Sequence, residues 1–110
     1  MKGTLEVIIL RLLSDNKRMY GYEITQQVKT ESDGKLLIKE GSLYPALHKL
    51  LDDGVLTFEE EKIGKRVRKY YSLTSKGEER KVALLEEMDS FLNTMRQVIF
   101  NPPSLSPNVT

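Results

Sequence analysis

Apolar residues recur with helical spacing at the start of the chain. Between residues 3 and 14 they occupy positions 5, 8, 9, 12 and 13, and Val7 and Leu10 are apolar as well. This pattern predicts a first helix that is buried on more than one side.

A narrower apolar stripe, built on Ile24 and Val28, predicts a second helix at residues 19–31. Tyr22 on this helix is interpreted either as a core aromatic or as a donor of its hydroxyl to a phosphate. The short apolar run at residues 36–38 is enough for a minor edge strand.

The segment GSLYPALHKLLDDG predicts a third helix between Gly41 and Gly54, with Leu43, Leu47, Leu50 and Leu51 on one face. Ser42 is predicted to cap its start, which places Pro45 in the first turn, where a missing N–H costs nothing. Gly54 is predicted to end the helix in the left-handed conformation. The opposite face carries side chains that can donate hydrogen bonds, carry charge or stack, namely Tyr44, Pro45, His48 and Lys49.

After Gly54 the pattern changes to the two-residue period of β-strands. One strand is predicted from residue 55 through the acidic run at 59–61, a second at 67–73, and a turn at 63–65 between them. On the second strand Tyr71 and Leu73 share a side and are predicted to complete the core.

A long helix is predicted from Thr74 or Ser75 to about Phe100, and Ser75 has capping-box spacing with Glu78. Its apolar residues alternate by three and four, which forms a heptad seam. A face this wide on a lone terminal helix is expected to be covered by a second copy of the chain. The alternative is that the helix folds back over its own core. The predicted dimer interface is Leu84, Leu85, Met88, Phe91, Leu92, Met95, Val98 and Ile99.

Positive charge is concentrated in one short segment, although the net charge is only +1. Residues 62–76 hold 6 Lys/Arg and no acid, whereas residues 1–61 hold 8 Lys/Arg and 11 Asp/Glu. Such a distribution indicates a local phosphate contact rather than diffuse polyanion binding. The chain has no cysteine, no recognisable signal peptide and no apolar run of the ~18 residues that a membrane span needs, so a cytoplasmic protein is expected.

The order of the elements is that of a winged helix, in which the second and third helices form a helix-turn-helix and the hairpin is the wing. The predicted fold class is α+β, mostly α, with a winged helix-turn-helix DNA-binding domain at residues 1–74 and a C-terminal dimerisation helix at 75–100. Residues 101–110 are predicted to be a disordered tail, since they have three prolines and no periodicity.

This arrangement suits double-stranded DNA, because a helix of this length fits the major groove and a cationic hairpin beside it reaches the backbone. The third helix would face base edges or phosphates, with Ser42 and the helix start holding a phosphate. The wing tip, which has no acid, would supply salt-dependent affinity. A two-fold dimer implies an inverted-repeat operator. The predicted DNA-binding residues are Tyr22, Ser42, Tyr44, Pro45, His48, Lys49, Lys65, Arg66, Arg68 and Lys69.

An enzyme is not expected, because no serine or carboxylate is placed by sequence to orient His48, the only histidine. No metal site and no cofactor are predicted. The alternative function is a protein–protein adaptor on a winged-helix scaffold without specific DNA binding. An exposed apolar patch would be expected there instead of a cationic wing.

Three motifs resemble the PadR-type winged-helix regulators: GYEI at 21–24, GSLYPALHKL at 41–50 and GKRVRKYYSLTSKG at 64–77. The single C-terminal helix is similar to the short subfamily. The resemblance implies a homodimeric bacterial repressor that is released by a small phenolic, a drug or another signal. By position it implies DNA contacts at Tyr22, Ser42, Tyr44, Pro45, Lys49, Lys65, Arg66 and Arg68.

The chain departs from these relatives at two places. Val67 stands where many relatives carry another basic residue, which predicts weaker backbone affinity. Met88 takes the place of a tryptophan with which some relatives stack flat ligands between subunits. A pocket for a small apolar or aromatic effector is predicted from Leu84, Met88 and Phe91, since methionine adapts to irregular ligands. The alternative is that these residues fill the dimer core.

Overall fold

Three short helices, a β-hairpin and a long helix follow one another along residues 3–101, the part of the chain that the computed structural model describes. This arrangement confirms the predicted fold class, a mostly helical winged helix. Of the tail predicted to be disordered, residues 102–110 lie outside the described residues, as do residues 1 and 2 of the predicted first domain. The elements are α1 Thr4–Asp15, α2 Gly21–Glu31, α3 Glu40–Asp52, β1 Leu56–Ile63, β2 Arg66–Leu73 and α4 Ser75–Phe100.

The core lies between α1, α2, α3 and the base of the hairpin. α1 is buried on more than one side, as its wide apolar face predicted, and Ile9 and Leu10 are fully covered. Tyr71 is buried at 5% exposure and Leu73 packs against the same cluster, which confirms the prediction that both complete the core.

The second helix begins at Gly21, two residues later than predicted. Met19 forms an antiparallel bridge with Tyr71 on β2, with N–H to carbonyl distances of 3.1 Å and 2.8 Å. This bridge gives Met19 backbone partners that the first residues of a helix lack. The Met19 side chain is buried, so the turn after α1 is held against the hairpin.

The edge strand predicted at residues 36–38 is wrong. Leu36 and Leu37 are 54% and 67% exposed and form no strand. The backbone of this segment forms a local turn instead. The Ser32 hydroxyl accepts the Leu36 N–H at 2.9 Å, and the Ser32 carbonyl accepts the Lys35 N–H at 3.0 Å.

The start of α3 also differs from the prediction. Lys39 is the N-cap, and its carbonyl accepts the N–H groups of Ser42 and Leu43, so Ser42 lies inside the helix and does not cap it. Pro45 consequently lies in the second turn rather than the first. At the other end Gly54 has φ 75°, as predicted. The N–H of Gly54 bonds Leu51 and that of Val55 bonds Leu50, which is the Schellman pattern of helix ends.

The hairpin closes on a two-residue turn, Gly64–Lys65, with Ile63 opposite Arg66. Gly64 has φ 64°, which glycine adopts readily. β1 extends to Ile63, beyond the predicted end, because its acidic residues pair in register with β2.

Thr74, one of the two predicted caps, begins α4, since its hydroxyl accepts the Gly77 N–H at 3.1 Å. The alternative capping box of Ser75 with Glu78 is wrong, because the Glu78 carboxylate accepts the Ser14 hydroxyl instead. Arg80 pairs with Glu6 on α1 at 2.9 Å and so fixes the first turns of α4 against the domain. Within residues 3–101 there is no helix long and apolar enough to cross a membrane.

Candidate nucleic-acid interface

α3 has one buried apolar face and one exposed polar face. Leu43, Leu47 and Leu50 are buried, which fixes the orientation of the helix on the core. The residues of the predicted front are all exposed, namely Tyr44, Pro45, His48 and Lys49, and Ser42 is exposed as well. Burial of the leucine face therefore presents hydroxyl, imidazole and ammonium groups on the outer surface.

Tyr44 does not simply point outward. A Cβ added at Gly21 would lie 2.6 Å from the Tyr44 Oη and 3.0 Å from its Cζ, so the ring rests on the backbone at the start of α2. Tyr44 keeps 41% of its surface exposed. Tyr22, one residue further along α2, is 60% exposed, so the interpretation of Tyr22 as a core aromatic is wrong.

A groove of about 800 Å³ separates the start of α2 and α3 from the wing. Tyrosines line one wall, and the hairpin with its cations lines the other. The groove brings together predicted residues from all three elements. Its lining is Tyr20, Gly21, Tyr22, Tyr44, Glu60, Ile63, Arg66, Val67, Arg68, Lys69 and Tyr71.

The cations of the wing fall into two groups. Lys65 is in the turn and Arg66 lies opposite Ile63, so neither has an acidic neighbour across the hairpin. By contrast, Arg68 lies opposite Glu61 and Lys69 lies opposite Glu60. The wing tip is therefore free of acid, as predicted, whereas Arg68 and Lys69 nearer the base of the hairpin have acidic neighbours on β1.

Arg68 is further engaged inside the protein. Its guanidinium lies 3.9 Å from the centre of the Tyr20 ring, and its Nη1 is 3.4 Å from the Tyr70 hydroxyl. Arg18, before α2, stacks on the other tyrosine, 4.1 Å from the centre of the Tyr70 ring. Arg18, Tyr20 and Tyr70 are not among the predicted DNA-binding residues, because the Met19 bridge, which no local pattern encodes, is what brings them together.

Three groups near the groove have shifted pKa values. The hydrogen bond to Glu61 raises the pKa of Arg18, and the bond to the Tyr70 hydroxyl raises the pKa of Arg68. Both arginines therefore stay charged. Burial raises the pKa of the Tyr71 hydroxyl, and the nearby Tyr44 raises it further.

Beyond its first turns, α4 extends away from the domain with its apolar residues uncovered. Leu92 is 55% exposed, Val98 73% and Ile99 59%. The helix does not fold back over the core of its own chain, because its buried residue is Gly77 at the very start. The described chain is accordingly elongated, with a longest extent of 68 Å.

The residues predicted for an effector pocket do not enclose a cavity within one chain. Leu84 packs against the core, Met88 is half-buried and Phe91 is 40% exposed. An open apolar pocket of about 260 Å³ instead lies between α1, the end of α2 and α4. It is lined by Val7, Ile8, Arg11, Leu12, Val28, Glu31, Ser32, Leu36 and Leu85. Within residues 3–101, no three His, Cys, Asp or Glu side chains come together as metal ligands would.

Comparison with known proteins agrees with this geometry. Residues 9–82 match the transcriptional regulator PadR-like family. This chain belongs to the PadR-like family. The family consists of transcriptional regulators, which is the function class of this PadR-like chain.

Individual relatives cover most of its length. The transcriptional regulator Rv3488 of Mycobacterium tuberculosis is 29% identical over 98 residues, which are 89% of this chain and 85% of that protein. A transcriptional regulator from Clostridium thermocellum has a TM-score of 0.83 and 28% identity, with 89% of this chain and 95% of that chain covered. Bacillus subtilis PadR in complex with operator DNA has a TM-score of 0.68 and 34% identity, with 74% of this chain but 46% of that chain covered.

Proposed function

We propose that this PadR-like regulator is a homodimeric repressor that binds an inverted-repeat operator in double-stranded DNA. The groove between wing and helices carries the proposal, because it places Tyr22, Tyr44 and Arg66 from three elements around one open surface. A phosphate backbone passing this surface would meet the cations of the wing tip while α3 enters the major groove.

Each group then has a distinct role. Lys65 and Arg66 bind phosphate, because they are exposed and free of acidic cross-strand neighbours. His48 and Lys49, on the outer face of α3, contact base edges and discriminate between sequences. Tyr22 and Ser42 donate hydroxyls to the backbone at the edge of the groove.

Dimerisation rests on α4. Residues 75–100 would be the dimerisation helix and the preceding winged helix the DNA-binding domain. The exposed seam of Leu92, Met95 and Ile99 would be covered by the same seam of a second copy. A small apolar or aromatic effector would then bind between the two helices, at Leu84, Met88 and Phe91, and release the DNA.

Selection from a random duplex library, followed by titration at two salt concentrations, tests this function. We expect an inverted repeat, one dimer per duplex and weak, salt-erased binding to an unrelated duplex. Recovery of no preferred sequence would contradict the repressor and favour the protein–protein adaptor. The complex of the protein with the selected inverted-repeat duplex would then serve to screen for an effector, which would be detected by release of the DNA.

A further inference from the structure

Two arginines and two tyrosines alternate in one cluster at the base of the wing. The Arg18 guanidinium is 4.1 Å from the Tyr70 ring centre, and the Arg68 guanidinium is 3.9 Å from the Tyr20 ring centre. The two rings meet edge to face, with centres 5.5 Å apart and planes at 81°. We call Arg18, Tyr20, Arg68 and Tyr70 the arginine–tyrosine cluster.

Ion pairs and backbone bonds fasten this cluster to both strands of the hairpin. The Nη2 of Arg18 lies 3.1 Å from each carboxylate oxygen of Glu61 on β1. Met19 lies between Arg18 and Tyr20 in sequence, and its backbone forms a bridge with Tyr71 on β2. Residues 18–20 therefore lie along the outer edge of β2 and also reach across to β1.

The other end of the same segment is the start of the helix-turn-helix. Tyr20 is the residue before α2, and its N–H bonds the Glu23 carboxylate at 3.1 Å. One residue later, Gly21 is the backbone on which the Tyr44 ring of α3 rests. The cluster is therefore continuous, through Gly21 and Tyr44, with the start of α2 and with α3.

Direct phosphate binding does not explain the cluster. The Arg68 side chain is half-buried, one face of its guanidinium is covered by Tyr20, and Glu61 lies opposite it on β1. Arg18 is committed to Glu61. Cations that serve phosphate alone need no aromatic stacking partners, and Arg66 at the tip illustrates such an arrangement.

We infer that the arginine–tyrosine cluster is a positioning device that fixes the angle of the wing relative to α3 and thereby sets the preference for operator over other DNA. This inference rests on the proposed DNA-binding function. When wing and α3 are held at one angle, both fit only a duplex whose backbone and base edges are correctly spaced. A loosened wing still binds phosphate anywhere, so affinity for unrelated DNA is retained.

The test removes a ring without changing charge. Tyr70→Leu abolishes the stack with Arg18, whereas Tyr70→Phe keeps the ring and serves as the conservative variant. We expect Tyr70→Leu to weaken binding to the selected operator duplex roughly fivefold to tenfold, in line with the loss of a cation–π contact. Binding to an unrelated duplex and the salt slope should stay at wild-type values, and Tyr70→Phe should restore the operator preference.

A measurement without DNA shows whether the cluster has been broken. In the wild type the Tyr ring should shift the side-chain proton resonances of Arg18 upfield, and the amide of Tyr71 should be protected from hydrogen exchange by Met19. The upfield shift and the amide protection should both be lost in Tyr70→Leu and kept in Tyr70→Phe. If Tyr70→Leu does not fold, Arg18→Lys tests the same inference, because it keeps the charge and loses the two-oxygen contact with Glu61.

Two results would overturn the inference. One is a variant that loses the ring-current shift and keeps the full operator preference. The other is a fall in the salt slope of Tyr70→Leu by about one, which would mean that the ring holds a stacked arginine on a phosphate of the DNA. A wild type without any operator preference would instead overturn the proposed function and this inference with it, so the two failures are distinguishable.

Discussion

The Tyr44 hydroxyl lies directly over the backbone of Gly21, where a Cβ would approach its oxygen to 2.6 Å. The contact joins the exposed face of α3 to the first residue of α2, and no other residue type leaves room for it. The space that Gly21 leaves for the Tyr44 ring accounts for a glycine at this position.

Gly21→Ala is therefore expected to displace the Tyr44 ring and weaken operator binding roughly tenfold, with little loss of stability. The ring can turn away, since it is exposed on its other side. Titration of the operator duplex and thermal unfolding measure the two effects. In a Tyr44→Ala background the same glycine substitution should cost nothing more. If the losses of operator affinity from the two substitutions simply added, displacement of the Tyr44 ring would not be the cause of the Gly21→Ala effect.

The wing tip should control affinity for all DNA. Lys65→Ala combined with Arg66→Ala is expected to weaken binding to operator and unrelated duplexes alike, and to reduce the salt slope by about 2. Lys49→Ala should instead lower the operator preference. Lys29→Ala with Lys35→Ala, which removes two exposed charges outside the hairpin and its neighbouring segment, is the matched control and should change little. Equal loss of preference in the wing-tip and Lys49 variants would contradict this division.

Gly77 lets the start of α4 pack closely against Val55, just before β1, and Leu73 at the end of β2. A Cβ at this position would clash with the Val55 carbonyl oxygen and come within 3.1 Å of a Leu73 methyl group. Because the obstacle is backbone, Gly77→Ala is expected to reduce the free energy of unfolding by about 1–3 kcal/mol. Urea unfolding measures this change. Gly41→Ala is the control, since its Cβ would enter open space, and it should leave stability unchanged or raise it.

Burial raises the pKa of Tyr71, and the sign of its effect on stability follows. The folded state holds the Tyr71 proton more strongly than the unfolded state, whose pKa is about 10. The stabilisation is therefore complete below pH ~10 and is lost as the pH rises through the higher folded value. Urea unfolding between about pH 9 and 11.5 should show a flatter decline for Tyr71→Phe.

The elements that local periodicity determines were predictable. Leucine spacing fixed α3 and its two faces, because the buried side of a helix repeats every three to four residues. Alternation likewise placed Tyr71 inward on β2. The helix start at Glu40 was not predictable, since the backbone carbonyl of Lys39 bonds the first turn and no side-chain cap marks it.

Contacts between distant residues could not be inferred in the same way. The sequence around an arginine is the same whether its side chain stacks on a tyrosine or binds a phosphate. Arg68 is predicted from the sequence only as a phosphate-binding residue. Its stacking on Tyr20 depends on the Met19 bridge, a pairing across about fifty residues that no local pattern encodes. The register of the hairpin likewise places Glu61 opposite Arg68. Counting charges along the chain cannot show this pairing, because Glu61 lies just outside the basic segment 62–76.

The seam of α4 makes dimerisation testable by charge. Leu92→Glu places a carboxylate in the exposed apolar stripe, where a second copy would bury it, so monomers are expected by analytical ultracentrifugation. Met88→Glu should act alike, with monomers or unfolded protein as the outcome. Ser90→Glu adds the same charge to the opposite side of the same helix and should leave the dimer intact. A stable, unaltered dimer of Leu92→Glu would show that another surface joins the two copies.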